Sequence, residues 1–238
     1  MRRFLTLAVV LAFGFGVEAQ DFSNPVGTSD NDQSPDAGTL ERGRLIAAGG
    51  AQQGGVEMKC MACHGRSGQG GGAAPMLAGL PWSYLADQLV AYRKGTRESR
   101  IMSEVASRLT ASEIRAVTAW YASKSPSSDA ADPEADTRLL EQGGALARAG
   151  LRSGSASAEM TACVMCHGQD AMESGTAVPP LAGQSADYIA SQLRAWQNGT
   201  RHNDPLNVMR EIAEQLSADD IEAVAAYYAN LPPQPDEE

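Results

Sequence analysis

Six stretches of this chain place apolar residues at helical spacing, and they come in two matching sets of three. In the first set, a helix is predicted from about Leu40 to Ala48, with Thr39 as its cap. A second runs from about Pro81 to Lys94, where proline's locked φ and missing donor suit a first turn. Tyr84, Gln88, Leu89 and Tyr92 share one face of it, and Gly95 follows as a stop. The third opens on the capping box Thr110-Ala111-Ser112-Glu113. Its Ile114, Val117, Thr118 and Tyr121 fall at i, i+3, i+4 and i+7.

The second set repeats that order. Leu139 to Ala149 matches the first helix. Tyr188, Gln192, Leu193 and Trp196 follow Tyr84, Gln88, Leu89 and Tyr92 at a constant offset of 104 positions. Ser217 caps a last helix whose Ile221, Val224, Ala225 and Tyr228 line one face. Between the helices, Pro75-Met-Leu-Ala-Gly79 is answered by Pro179-Pro-Leu-Ala-Gly183, and Gly95-Thr-Arg97 by Gly199-Thr-Arg201. The pattern implies an all-α chain of two tandem domains built alike, placed at 39–124 and 137–231.

Composition marks what lies around them. Residues 20–38 are rich in Asn, Asp, Ser, Pro and Gly and read as a flexible lead-in. Residues 125–136 read as a linker, and 232–238 as an acidic tail. Residues 1–19 read as an export signal: Arg2 and Arg3 precede an apolar run from Leu5 to Val17, and Ala19 suits cleavage. A retained anchor is the alternative, but the run falls short of the ~20 residues a bilayer needs. The expected location is the periplasm.

Charge separates the halves. Residues 20–128 carry eleven basic and ten acidic side chains, net +1; residues 129–238 carry six basic and eighteen acidic, net −12. Nothing here offers the basic face that binding phosphate requires, so nucleic acid is excluded as a partner. Such asymmetry can orient a molecule against a charged protein during encounter; acidity that serves only solubility is the alternative.

The four cysteines decide the chemistry. They sit in Cys60-Met61-Ala62-Cys63-His64 and Cys163-Val164-Met165-Cys166-His167, which use two of the three histidines. Cys-x-x-Cys-His is the attachment signal for c-type haem. Two thiols three positions apart reach both vinyl groups of one porphyrin, and the adjacent histidine is held over the iron. A disulfide would close only a tiny loop, a thioredoxin-like site wants a βαβ setting, and zinc needs more ligands than His202 supplies. Two covalently attached haem c groups are expected. After His64, five glycines between Gly65 and Gly72 suit backbone that wraps a flat cofactor.

Each iron has a second axial position. One spare histidine cannot close two irons, and the repeat offers methionine instead. Met102-Ser-Glu-Val-Ala106 and Met209-Arg-Glu-Ile-Ala213 occupy matching places before the capped last helices. Met58, Met61, Met160 and Met165 lie too near the attachment motifs, and Met76 and Met172 have no counterparts. A methionine ordinarily fills core; the repeated context selects Met102 and Met209 as ligands with His64 and His167. His202 falls in a three-residue expansion of the second repeat, either displacing Met209 or, as its polar loop favours, lying exposed. Met/His ligation raises the potential and leaves no site for substrate, which favours electron transfer over catalysis.

These motifs resemble class I cytochrome c domains in tandem, and most of all the di-haem cytochrome c4 family, over residues 39–231. The resemblance implies that the Pro75 and Pro179 carbonyls accept the Nδ1 protons of the ligand histidines. It implies two haems set across a pseudo-twofold interface, with Arg97 and Arg201 either pairing with propionates or standing as ordinary surface arginines. It implies a carrier of single electrons between respiratory partners, from a quinol-oxidising complex to a terminal oxidase, and so association with membrane-bound complexes. The rival it leaves open is a di-haem subunit of a periplasmic dehydrogenase, of the flavocytochrome sulfide or alcohol-oxidising type; paired methionines speak against a di-haem peroxidase.

Overall fold

The computed structural model describes residues 35–50, 59–126, 130–150, 162–167 and 178–233. The expected export signal, most of the lead-in and the end of the tail lie outside them, as do Met58, Met160 and Met172. The first half contains α1 (Ala37–Ala47), α2 (Cys60–His64), α3 (Trp82–Lys94), α4 (Met102–Arg108) and α5 (Ala111–Ala122). The second contains α6 (Thr137–Ala149), α7 (Val164–His167), α8 (Ala186–Gln197), α9 (Val208–Gln215) and α10 (Ala218–Asn230), with a 3-10 turn at Pro205–Asn207 before α9. Among the described residues there is no strand, only two isolated bridges. The fold is all-α, as the periodicity predicts.

Two predicted boundaries move. The first helix begins before Thr39, because Asp36 is its cap and accepts the Thr39 N–H at 2.6 Å. The expected lead-in therefore ends earlier than residue 38. The methionine-bearing segments, read from sequence only as stretches before the last helix, are the helices α4 and α9. Both capping boxes form: Thr110 with Glu113, and Ser217 with Asp220.

Each half buries its own apolar cluster. One gathers Ile46, Leu85, Ile114, Val117 and Trp120; the other Ile189, Leu193, Ile221, Val224 and Tyr228. In each, the first and last long helices cross at a glycine. A Cβ on Gly43 would lie 2.1 Å from the Ala116 carbonyl oxygen, and one on Gly143 2.0 Å from that of Ala223. Both contacts are with backbone, so no side-chain rotation could relieve them, and the helices approach as closely as they do only because these positions lack side chains.

Candidate functional site

α2 and α7 present the attachment motifs with their histidines turned inward. His64 and His167 are buried, each 7 % exposed, while Cys63 and Cys166 are exposed. None of the four cysteines is joined in a disulfide. His64 Nδ1 lies 2.9 Å from the Pro75 carbonyl oxygen, and His167 Nδ1 2.8 Å from that of Pro179. With Nδ1 as donor, each ring keeps Nε2 free as a ligand atom. Burial holds both imidazoles below the ordinary histidine range, against the opposite pull of the proline carbonyls. They are neutral at pH 7, the state that binds metal.

The loops that carry these carbonyls are pinned. Gly79 N–H donates to the Tyr121 carbonyl at 3.3 Å, and Gly183 N–H to that of Tyr228 at 3.0 Å. In the first half the glycine stretch folds against its own proline loop: the Gly68 carbonyl accepts from Leu77 at 2.7 Å and Ala78 at 3.1 Å. Gly68 has φ +83°, and a Cβ there would meet the Tyr121 ring at 2.6 Å.

Met102 and Met209 sit at or near the starts of α4 and α9 and line one continuous cavity of about 430 Å³ with His64 and His167. The ends of these short helices are tied down by residues the sequence did not single out. Arg93 donates to the carbonyls of Ala106 (2.9 Å from Nη2) and Leu109. Gln197, at the same place in the second half, donates to Ala213 and Leu216 at 2.8 and 2.9 Å. Both satisfy carbonyls that a helix end leaves open. The repeat offset was the available signal: 93 and 197 differ by 104. His202 is exposed, Nδ1 3.1 Å from the Gly199 carbonyl oxygen, and does not line the cavity.

The cavity spans both halves because they meet at Gly95-Thr-Arg97 and Gly199-Thr-Arg201. Arg97 and Arg201 form an antiparallel bridge. Glu98 N–H donates to Thr200 and His202 N–H to Thr96, both at 2.8 Å. The two arginines are 3 % and 5 % exposed, so the surface-arginine reading is wrong. Arg97 donates to Gln88 (3.0 Å), Tyr188 (2.6 Å) and Gln192 (2.7 Å); Arg201 donates to Gln192 (3.0 Å) and Gln88 (3.1 Å). Arg97 lies 4.7 Å over the Tyr92 ring and Arg201 3.8 Å over Trp196. Among the described residues no carboxylate pairs with either. Burial, and next the charge of Arg97, hold Arg201 below the ordinary arginine range.

Buried cations without anions are costly. Arg97 Nε and Trp196 Nε1 are also buried at the cavity wall, without a hydrogen-bond partner among the described residues. The site thus offers inward histidines, apolar walls and orphaned donors, which fits a flat apolar cofactor bearing carboxylates. Among the described residues no group of three or more His, Cys, Asp or Glu could hold a bare metal ion.

Comparison with known proteins agrees. The family description Cytochrome c matches residues 50–125 and 151–232. The thiosulfate dehydrogenase electron acceptor of Stutzerimonas stutzeri is 40 % identical over 190 residues, 79 % of this chain and 85 % of that protein. Cytochrome c4 of Pseudomonas aeruginosa is 35 % identical over 193 residues, 79 % of this chain and 92 % of its own length. Among solved structures, cytochrome c4 from Pseudomonas stutzeri superposes with TM-score 0.67 at 30 % identity, covering 81 % of this chain and 98 % of that one. Thiosulfate dehydrogenase from Marichromatium purpuratum gives TM-score 0.74 at 40 % identity, covering 81 % of this chain and 40 % of that one.

Proposed function

Since the chain belongs to the cytochrome c family, as a di-haem electron carrier of the cytochrome c4 type with two covalent haem c groups, we propose that it moves single electrons through two irons closed on both faces. Cys60 and Cys63 would attach one haem and Cys163 and Cys166 the other; His64 with Met102, and His167 with Met209, would hold the two irons. Haem supplies the ferrous–ferric couple. The chain supplies the rest: the Pro75 and Pro179 carbonyls orient the histidines, the apolar walls exclude water, and the unpartnered donors of Arg97 and Trp196 would hold the cofactor's carboxylates at the interface. Irons held in this way would have no position for substrate, which supports electron transfer rather than catalysis.

One observation carries this reading: both histidines and both methionines line a single cavity that crosses the interface between halves. Electrons then pass inside the molecule. The domains lie at about 39–124, lengthened by the first turn of α1, and 137–231, joined by 125–136. The working location is the periplasm, after removal of residues 1–19; among the described residues no helix is long and apolar enough to cross a membrane.

The names of two relatives favour a particular donor. Thiosulfate dehydrogenase electron acceptors from Stutzerimonas stutzeri and Thiomonas intermedia are each 40 % identical to this chain. We infer that a dehydrogenase oxidising a reduced sulfur anion reduces this protein, which passes electrons on toward a respiratory acceptor. That reading merges the carrier and the dehydrogenase-subunit alternatives, with no catalysis by this chain.

Met102→Ala and Met209→Ala in the holoprotein test the ligands. Each is expected to abolish one of two methionine–iron absorption bands, admit carbon monoxide at one iron and lower that potential. Two low-spin irons in both variants would overturn the assignment.

A further inference from the structure

The halves differ at the point where the ligand methionine is held. In the first, Met102 N–H donates to the Ser99 hydroxyl at 3.1 Å. In the second, the Asp204 carboxylate takes that place: Oδ2 accepts from Met209 N–H at 2.8 Å and from Arg210 N–H at 3.2 Å. Asp204 Oδ1 is buried without a hydrogen-bond partner among the described residues, and the side chain forms part of the cavity wall. A neutral hydroxyl has been exchanged for an anion beside the iron's axial ligand.

The three-residue expansion makes this exchange. It inserts the 3-10 turn Pro205–Asn207, in which Leu206 and Asn207 take left-handed φ of 65° and 58°. For a leucine that conformation is strained. Pro205–Asn207 carries the chain from Asp204 to Met209, so that the carboxylate caps the methionine segment from five residues upstream.

We propose that Asp204 is a positioning and tuning residue that lowers the potential of the C-terminal haem relative to the N-terminal one. The inference rests on Met209 being the axial ligand. A ferric iron carries one more positive charge than a ferrous iron, so a nearby fixed anion favours the ferric state and depresses the potential. Arg97 and Arg201 share the acceptors Gln88 and Gln192 at the interface, and Asp204→Asn leaves both arginines in place. Glu104 and Glu211 stand at matching places in the two methionine helices, Glu104 paired with Arg108, and Asp204→Asn touches neither. Arg93 against Gln197 and Ser103 against Arg210 are further charge differences around the methionine helices; Ser99 against Asp204 is the one made at the methionine N–H itself. Asp204 is half-buried with Oδ1 shielded from water, so its charge is less screened than the exposed acidic excess of the C-terminal half.

Spectroelectrochemical titration of the holoprotein, with haem methyl NMR to tell the two irons apart, tests this. Asp204→Asn keeps an acceptor for the two N–H groups and removes the charge. It is expected to raise the C-terminal potential by about a tenfold change in the reduction equilibrium, ~59 mV for one electron, with the N-terminal potential unmoved. Ser99→Asp is expected to lower the N-terminal potential in the same way. Unmoved potentials in Asp204→Asn, or an equal shift at both haems, overturn the proposal, as does loss of the methionine–iron band in that variant. Met209→Ala separates this from the ligand reading: if that variant keeps both bands, the ligand assignment has failed. If it loses one while Asp204→Asn shifts nothing, only the role of Asp204 has.

Discussion

The two halves of this molecule share a scaffold position for position and differ where polar atoms meet the cofactor. Helix crossing, capping box, proline carbonyl and inward histidine recur with closely similar geometry. Around the ligand loops the pairs diverge: Ser99 against Asp204, Arg93 against Gln197, Leu80 against Gln184. The common parts make each half a haem-binding domain. The differing parts make the two domains unequal, and an electron passing between two identical sites would have no preferred direction. Duplication supplies two haem sites, and divergence at a few polar positions is where the proposed difference in potential would arise.

The largest expected effect tests what the halves share. Gly43→Val and Gly143→Val each drive a side chain into a backbone carbonyl at the crossing of the first and last long helices. Each is expected to cost about 3 kcal/mol or more, at the upper end for overpacking, seen as a lowered midpoint in thermal unfolding followed by circular dichroism. The costs should agree closely. If one variant is near wild type, the two crossings are not equivalent and the shared scaffold is less strict than the structure shows.

Much of that scaffold was legible in the sequence, and the reason is physical. Haem attachment demands Cys, Cys and His at fixed spacing, a capped helix demands its side-chain acceptor, and helical burial imposes its period. Each leaves a local mark, and the 104-residue offset let one half check the other. What stayed hidden depends on distant partners. Arg97 and Arg201 look like surface arginines in any local window; they are buried because the two loops pair across the interface. Asp36 preceded Thr39 in plain sight, but either can cap, and only the backbone path chose. The α4 helix was readable: Met102, Val105, Ala106 and Leu109 keep helical spacing, but the stretch is shorter than the windows in which period is convincing. Gln184 was never visible, since nothing local connects it to Met76, 108 residues away.

Gln184 offers the second test, of a difference between the halves. Its amide grips the Met76 backbone across the interface, accepting the N–H at 2.9 Å and donating to the carbonyl at 3.1 Å. Met76 follows Pro75, whose carbonyl orients His64. The pseudo-twofold mate of this clamp cannot exist, because Leu80 stands where Gln184 does and Pro180, opposite it, has no N–H. Gln184→Leu would make the halves alike. It leaves two buried backbone groups of Met76 unpaired, at about 1–3 kcal/mol. The expected readout is a lower unfolding midpoint together with altered NMR shifts of the N-terminal haem's histidine, the C-terminal ones staying put. Equal perturbation of both histidines would mean that the clamp serves the interface as a whole.

The smallest effect concerns a difference that should not matter. Arg194 on α8 pairs with Glu222 on α10, whereas the matching positions in the first half are the buried Val90 and the exposed Arg115. Arg194 and Glu222 keep 47 % and 53 % of their side-chain surface in water. An exposed pair gains little Coulomb energy and gives up side-chain freedom to form, so its net worth is about 0–1 kcal/mol. Glu222→Gln is expected to shift the thermal midpoint by a degree or so, and less still in high salt, where the pair is already screened. A large loss would mean that the second half, with its acidic excess, leans on ion pairs that the first half replaces by apolar burial. The contrast with Arg201 makes the small value the expected one. Arg201 is buried against Trp196, Gln88 and Gln192, where water cannot compete for it. Arg194 has water as an alternative partner at every moment, so removing its carboxylate strands nothing.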